Sequence, residues 1–534
     1  MKRLILMALA FVIIAGCLKP EDFQIKNVRA EEWKSSWALP IVNSKLNLGD
    51  LVTRFDNYNP LKKDSTGFFT LLYESDDVNF NAGTHFKISN QTFSTGDIFP
   101  PGVTGTSSFS GSINSSKNGD FTYTGSNGEK LEILKLKSGT LQVVLNSSFQ
   151  HNLQYTLTFP HLKKAGVALV ITDAINHPTQ TSTKNIDLSG YDADLTAGVS
   201  GQFNLFSYQI AYGITGTGNP ISTSDKIEAT VSLSNIGYSY VDGYLGNYDI
   251  SIPPSIAEIE LFDNSISSSI IFEDPRINVI ITNSLGAPST ATLQTLSAEN
   301  RDGNTANFTG TILNNPFTIN APTISELGQR KTTKFVINKS NSNIQSVMAI
   351  TPNKVRFSGK LTINPSGNTG AKNFMTDTSV LKLKIETELP CWFKTSGIKL
   401  QDTIEFSLPN PDTNVVSLVK IKLMTENAFP IYAGVQAYFA DASYKIIDSL
   451  IVPPHDIIAE APVNASGYVT GSTNDYSEIT MEKARYDIIS ATSKYIIIKG
   501  LIKNSGGVAQ NVRITDANYL GLKISLYADV LIKY

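Results

Sequence analysis

The chain has 534 residues, of which 41% are hydrophobic and 17% are charged, and its formal net charge is −3. This composition is typical of a folded chain with about two to four domains, and it excludes an intrinsically disordered protein. A slightly acidic chain offers no basic surface, which argues against nucleic acid or anionic lipid headgroups as partners.

The first residues have the layout of a secretory signal peptide. Lys2 and Arg3 precede an unbroken apolar run over residues 4–14, and the small pair Ala15-Gly16 leads into Cys17. Basic, apolar and small segments in this order are typical of a cleaved signal. The apolar run is shorter than the ~20 residues that a membrane-spanning helix needs.

Residues 14–17, Ile-Ala-Gly-Cys, resemble the lipobox of bacterial lipoproteins. The resemblance implies that residues 1–16 are removed and that Cys17 carries fatty acyl chains such as palmitate. Several acyl chains would anchor the protein stably, because each buried CH2 contributes ~0.8 kcal/mol. The alternative is an ordinary cleaved signal followed by an unmodified cysteine.

The residues after Cys17 indicate the membrane to which the lipoprotein would be sorted. Leu18 stands where an Asp would be found in lipoproteins kept at the inner membrane, so the segment resembles an outer-membrane signal. Residues 19–22, Lys-Pro-Glu-Asp, loosely resemble the acidic surface-export tags of Bacteroidetes lipoproteins, although a plain solvated tether fits them equally. Residues 17–37 are predicted to be a lipidated tether, and the face of the outer membrane on which the body lies stays open.

Short strands are predicted through most of the body. Leu153–Phe159 alternates between apolar and polar residues, and Pro160 is expected to end that strand. The segment between Ser89 and Gly128 is rich in Gly, Ser, Thr and Asn, which predicts loops and short hairpins. The longest alternating run closes the sequence, with one face formed by Leu520, Leu522, Ile524, Leu526, Ala528, Val530 and Ile532.

Helices are predicted at two places, Asn343–Ala349 and Thr480–Ser490, with Thr480 as a cap. Strands at ~8–12-residue spacing with turn signals between them predict a mostly β protein. We expect two or three tandem antiparallel β-sandwich domains with few short helices. The predicted divisions are an N-terminal β region at 38–265, a middle sandwich at 266–390 and a C-terminal sandwich at 391–534.

The sequence carries no catalytic, metal or cofactor signature. None of its five histidines has another His or Cys at metal-ligand spacing, and it lacks the HExxH, GxSxG and phosphate-loop motifs. We therefore predict neither an enzyme nor a cofactor. Two carboxylates from distant strands could still meet as in a glycosidase, so a hydrolase stays a third hypothesis. Cys391 lies in an apolar segment and is expected to be a buried, inert thiol.

Four tyrosines stand close together in the sequence: Tyr238, Tyr240, Tyr244 and Tyr248. Exposed aromatic rings on a β scaffold can stack on sugars or contact protein partners, so these residues are candidate ligand contacts. Tyrosine is also an ordinary strand residue, and that interpretation stays open.

Several segments resemble a family of uncharacterised Bacteroidetes outer-membrane lipoproteins. The matching segments are 37–44, 274–276, 283–286, 373–374, 400–403, 427–430, 441 and 447–450. The resemblance covers most of the chain after the signal and implies an all-β body at the outer membrane. It implies no reaction, cofactor or catalytic residue.

Two short motifs resemble the O-glycosylation acceptor of exported Bacteroidetes proteins. They are Asp402-Thr403-Ile404 and Asp448-Ser449-Leu450, with Thr403 and Ser449 as the acceptors. So short a pattern also arises by chance at turns and strand ends.

The leading hypothesis is an outer-membrane-anchored lipoprotein with a non-catalytic structural or binding role, as an accessory of an envelope complex or an adhesive module. The alternative is a surface glycan-binding lipoprotein of a polysaccharide-uptake system. The expected partners are membrane lipid through Cys17, together with envelope proteins or glycans.

Overall fold

The computed structural model describes residues 33–48, 60–262, 265–311, 313–405, 416–451, 458–505 and 510–532. The predicted signal peptide and Cys17 lie outside these residues. The described part is mostly β and sandwich-like, with antiparallel sheets and few short helices, which confirms the predicted fold class. It divides into two units. Unit 1 takes its residues from Met1–Thr70, Asn264–Glu273 and Pro390–Tyr534, and unit 2 from Leu71–Asp263 and Asp274–Leu389.

Unit 1 contains two sheets. Sheet I has the strand order β1 (Trp33–Asn47), β33 (Tyr519–Ile532), β27 (Val416–Asn427) and β30 (Thr473–Glu482). Sheet II has the order β17 (Ser265–Phe272), β26 (Trp392–Glu405), β31 (Tyr495–Asn504), β28 (Ile431–Ala440) and β29 (Ile446–Ser449), with β32 (Val512–Arg513) on β26. The short strand β2 (Leu61–Lys63) also belongs to this unit.

The core of unit 1 joins the two sheets. Phe439 from β28 and Met481 from β30 are buried together with Ile489, which lies on the helix α3 (Lys483–Thr492). The helix begins after Glu482, whose side chain makes no capping hydrogen bond. The predicted cap Thr480 is wrong, because the alternation of buried Ile479 and Met481 continues β30 up to Glu482.

Unit 2 contains three main sheets. Sheet III has the order β24 (Asn373–Thr376), β15 (Ile227–Tyr244), β8 (Lys130–Ser147), β12 (Asp192–Asp194), β9 (Asn152–Lys164), β13 (Leu205–Thr215) and β7 (Ser112–Thr122). Three further strands pair with it: β10 (Val167–Ile175) with β9, β11 (Thr181–Asp187) with β8 and β5 (Gln91–Ser94) with β15.

Sheets IV and V are smaller. Sheet IV has β16 (Tyr248–Glu258), β23 (Lys354–Ile363), β19 (Ser289–Glu299) and β20 (Thr305–Asn307), with β21 (Phe317–Ile319) on β19. Sheet V has β3 (Phe69–Glu74), β25 (Val380–Pro390), β18 (Arg276–Asn283) and β22 (Lys331–Ile337), with β4 (Val78–Asn81) on β25. The strands β6 (Ser107–Ser108) and β14 (Pro220–Ile221) pair separately. Short helices are α1 (Ala82–His85) and α2 (Ile344–Met348), the second as predicted, and two 3-10 turns lie at Glu260–Phe262 and Ile324–Glu326.

Strand β9 does not end at Pro160, contrary to the sequence prediction. It continues to Lys164, and its register with β10 shifts so that Phe159 pairs with Leu169 while Lys163 pairs with Ala168. Pro160 therefore lies in a bulge, where its missing N–H is not needed for the ladder. The buried side chains of this strand, among them Leu153, Leu157 and Phe159, keep the predicted alternation.

Strand β7 also departs from the prediction, since it runs through eleven residues of a segment expected to hold only loops and short hairpins. It pairs with β13 along its full length, from Ser112 opposite Thr215 to Thr122 opposite Leu205. The strand β7 could not be predicted from local sequence, because most of its positions on both faces are polar and no apolar alternation marks it.

Candidate binding groove

An open groove lies on the outward face of sheet I. Directly paired residues of antiparallel strands share a face, so Asn43, Lys523, Met424 and Tyr476 form one row across the four strands. The next row on this face is Lys45, Gly521, Glu426 and Asn474. Gly521 contributes no side chain to the middle of that row. These two rows enclose a groove of about 770 Å³.

One wall of the groove carries an aromatic ring and a thioether. Tyr476 is 48% exposed and Met424 is 51% exposed, so about half of each side chain is open to a ligand. The Tyr476 hydroxyl donates a hydrogen bond to Glu478 at 2.9 Å, and Lys420 pairs with the same carboxylate at 2.8 Å. These contacts hold the ring in place without covering it.

The other side of the groove carries fixed charges. The Tyr519 hydroxyl donates to the Glu426 carboxylate at 2.5 Å, and the Lys45 ammonium lies 3.4 Å from the centre of the Tyr519 ring. The hydrogen bond from Tyr519 lowers the pKa of Glu426, and the same bond raises the pKa of Tyr519. At neutral pH Glu426 is therefore ionised and Tyr519 protonated. A carboxyl group with a lowered pKa is poorly suited to donate a proton, and this arrangement suits binding better than general acid catalysis.

A second group of carboxylates bears on the hydrolase hypothesis. Glu386 and Glu388 of β25 meet at one amide, because the Asn278 Nδ2 donates to both at 2.7 Å. Lys334 lies 3.2 Å from Glu388, and Arg276 lies 3.6 Å from it. Burial alone would raise the pKa of Glu388, but the Asn278 hydrogen bond and the Lys334 charge outweigh it and hold the pKa below its usual range. The pair is arranged as a structural ion network.

The four candidate tyrosines do not share one exposed surface. Tyr238 is buried, and its hydroxyl donates to the Phe86 carbonyl at 3.3 Å. Tyr240, Tyr244 and Tyr248 are half-buried. The Tyr240 hydroxyl donates to Asp242 at 2.9 Å, and burial raises the pKa of Tyr248 to about 12. Ligand contact by these residues stays a prediction.

The candidate glycosylation sites lie on sheet II. Thr403 is exposed on β26, and Ser449 is half-buried at the end of β29. The neighbour of Ser449, Asp448, is held by Arg485 of α3 at 2.7 Å. Modification of either hydroxyl stays a prediction, and the lipidation site Cys17 lies outside the described residues. Cys391 is buried as expected, and burial raises the pKa of its thiol to about 12.

Within the described ranges, no three His, Cys, Asp or Glu side chains gather as a metal site would require. No helix in this part of the chain combines the length and the apolar character needed to cross a bilayer.

Sequence reasoning missed the groove although part of its signal was present. The alternation of the C-terminal run puts Leu520 and Leu522 on one face of the predicted strand and Tyr519, Gly521 and Lys523 on the opposite face. Their neighbours on β1, β27 and β30 could not be predicted, because strand pairing over such distances has no local signal.

Comparisons with known proteins give distant similarities only. No protein-family model matches the chain, and no curated protein matches it. Among solved structures, a protein from Parabacteroides distasonis whose name describes it as secreted is 9% identical, with 92% of this chain and 99% of that chain covered and a TM-score of 0.25. An exo-beta-agarase covers 27% of this chain and 25% of its own at 15% identity and a TM-score of 0.11. A triple jelly-roll turret protein of an archaeal virus covers 82% and 98% at 10% identity and a TM-score of 0.12. Similarity at this level does not establish a common fold or function.

Proposed function

We propose that the protein is an outer-membrane-anchored lipoprotein with a non-catalytic binding role, and that its groove receives a segment of an envelope protein. The observation that carries this proposal is the composition of the groove. Tyrosine and methionine are enriched at protein interfaces, and methionine adapts to varied partner surfaces. Lys45, Lys523 and Glu426 supply charges of both signs, which favour a matching polar segment. An accessory subunit of an envelope complex, or an adhesive module, would use such a site.

Anchoring is tested by the variant Cys17→Ser. We expect the native protein to sediment with outer membranes and to incorporate a clickable palmitate analogue. The variant loses both properties, because a serine hydroxyl cannot accept the thioether-linked lipid. Cys391→Ser is the matched control, and it should leave lipid labelling unchanged because that thiol is buried. Native protein that labels poorly, or a Cys17 variant that stays on the membrane, would contradict the anchoring proposal.

The groove is tested by site-specific photo-crosslinking in intact cells. A benzoylphenylalanine at position 476 is expected to give one discrete adduct with an envelope protein, because that ring lies in the groove wall. Tyr444 is the matched control, since this tyrosine is 57% exposed and lies outside the groove. Adding Glu426→Lys should abolish the adduct at 476 by reversing a lining charge. Equal adducts at both positions, or an adduct insensitive to Glu426→Lys, would count against the proposal.

The glycan-binding alternative was motivated by the tyrosines on β15 and β16. Because Tyr238 is buried and Tyr240 is engaged with Asp242, those four residues give that alternative little support. A different surface of unit 2 supports it better.

A further inference from the structure

One outward face of sheet III carries no charge over four adjacent strands. The strands are β10, β9, β13 and β7, and their register aligns the side chains in four rows. We call this surface the neutral face. It consists of Ser112, Asn114, Ser116, Asn118, Asn152, Gln154, Thr156, Thr158, Val170, Thr172, Ala174, Gln209, Ala211, Gly213 and Thr215.

The neutral face is exposed to solvent. Its residues are exposed or half-buried, whereas the intervening residues Leu153, Leu157, Ile210 and Ile214 are fully buried. Charged residues make up 17% of the whole chain and are concentrated at surfaces, so at least about two or three charges would be expected among these fifteen residues. Continuing along β7 on the same face, a charged residue is next met at Asp120. The lack of charge therefore sets this surface apart.

A shallow depression of about 580 Å³ lies in the middle of the neutral face. Asp173 also contributes to its lining, but this residue pairs with Tyr155 in the register, so its carboxylate belongs to the opposite face, where it lies 3.0 Å from the Lys184 ammonium. Its floor is open because Gly213, Ala211 and Ala174 have little or no side chain, and the amides of Asn114 and Gln154 border it. A β-carbon placed on Gly213 would lie only 2.6 Å from the Asn114 Oδ1, so the absence of a side chain there makes room for that amide.

The neutral face is rich in hydrogen-bonding groups that are not used within the protein. Among the described residues, the side-chain amides of Asn114, Gln154 and Gln209 have no hydrogen-bond partner, and each can donate and accept. The hydroxyls of Thr156 and Thr172 lie 3.3 Å apart and keep free acceptor capacity. The surface can therefore bond a ligand that is itself both donor and acceptor.

We propose that the neutral face is a binding site for an uncharged polysaccharide. Sugar hydroxyls donate and accept hydrogen bonds and carry no charge, which matches the groups present. The four strands and four rows span roughly 14 Å by 20 Å, enough for an extended chain of sugar rings. A protein partner fits less well, because interface cores are enriched in aromatic residues, Met and Arg and depleted in Ser, and this face has none of the first three.

This inference gives the glycan-binding alternative a specific site and does not depend on the groove of unit 1. The two proposals can therefore fail separately. Tyr476→Ala alters the groove and should leave polysaccharide binding unchanged.

The test is co-sedimentation of the whole mature chain with insoluble cellulose, starch granules, chitin and, as a charged comparison, calcium alginate. We expect binding to at least one of the three neutral polymers and weaker binding to alginate. Gln154→Ala, which removes an amide, and Thr172→Lys, which adds a charge, should each weaken binding about tenfold. The matched control is Thr183→Lys on β11, an exposed strand position away from the neutral face, which should bind as the native chain does.

Melting curves of the three variants show whether each remains folded. Two folded variants of the neutral face that bind as the native chain does would overturn the proposal, as would an equal loss in Thr183→Lys. Failure of the native chain to bind cellulose, starch or chitin would overturn it too. Self-association that Thr172→Lys abolishes would also overturn it, because the face would then contact protein.

Discussion

Replacing Phe121 with alanine is expected to lower the free energy of unfolding by about 3–5 kcal/mol. This ring is 4% exposed and lies in the aromatic core of unit 2. It stacks on Tyr208 at a centroid distance of 4.4 Å and on Phe93 at 5.1 Å. Alanine would remove both stacks and leave a cavity that two rigid rings cannot easily fill.

Urea unfolding, followed by far-ultraviolet circular dichroism, would measure the loss in the free energy of unfolding of Phe121→Ala. The matched control is Phe99→Ala, because Phe99 is 52% exposed and the same atoms are removed. Its effect should stay within about 0.5 kcal/mol. If Phe121→Ala and Phe99→Ala lowered the free energy of unfolding equally, the packing around Phe121 would not stabilise the fold as we infer.

Replacing Asn278 with leucine is expected to cost about 2–4 kcal/mol, although leucine has a similar size. Asn278 is fully buried, and its amide is the shared donor to Glu386 and Glu388. Without that donor, two carboxylates of like charge remain close together in a poorly solvated place. Lys334 and Arg276 would then offset only part of their repulsion.

The pH dependence gives this prediction a second readout. Because the pKa of Glu388 is lowered in the folded protein, the stabilisation is present above the pKa of the unfolded chain and is lost as the pH falls. The native protein and Asn278→Leu should therefore differ most near pH 7, and the difference should be lost as the pH falls below about 4, through the lowered pKa of Glu388. A difference that stays constant over this range would contradict the role of Asn278 as carboxylate donor. Asn118→Leu, at an exposed position of β7, is the control and should have little effect at either pH.

Local alternation predicted the strands whose two faces differ strongly in polarity. Leu153–Phe159 and the C-terminal run are confirmed as parts of β9 and β33. In β9 the apolar face is buried, as the alternation predicts. The same rule failed for β7, whose polar outer face contributes to the neutral face. It also failed at Pro160, since a bulge that accommodates proline depends on the register with β10 and not on local sequence.

The candidate sites were less predictable than the strands. Each site is a set of residues that becomes adjacent only after the strands pair. The sequence alone does not show which residues of distant strands lie opposite each other. Glu426 and Tyr519 are hydrogen-bonded across 93 positions. Asn278 is bonded to Glu386 across 108 positions and to Glu388 across 110. The sequence did show that Cys391 is buried, because its apolar neighbours are local.

The pairing of β1 with β33 determines when unit 1 can be completed as the chain emerges from its N-terminus. Ser36 and Asp529 bond at 2.6 Å across 493 positions, whereas the residues of unit 2 have all emerged by Leu389. Closing so long a loop adds little cost in free energy, because that cost grows only with the logarithm of loop length, but distant pairings form slowly. Until β33 has been made, β1 lacks the one described strand with which it pairs, and other strands can join it instead. The wait for β33 is therefore the stage at which we expect the newly made chain to be most open to wrong strand pairing.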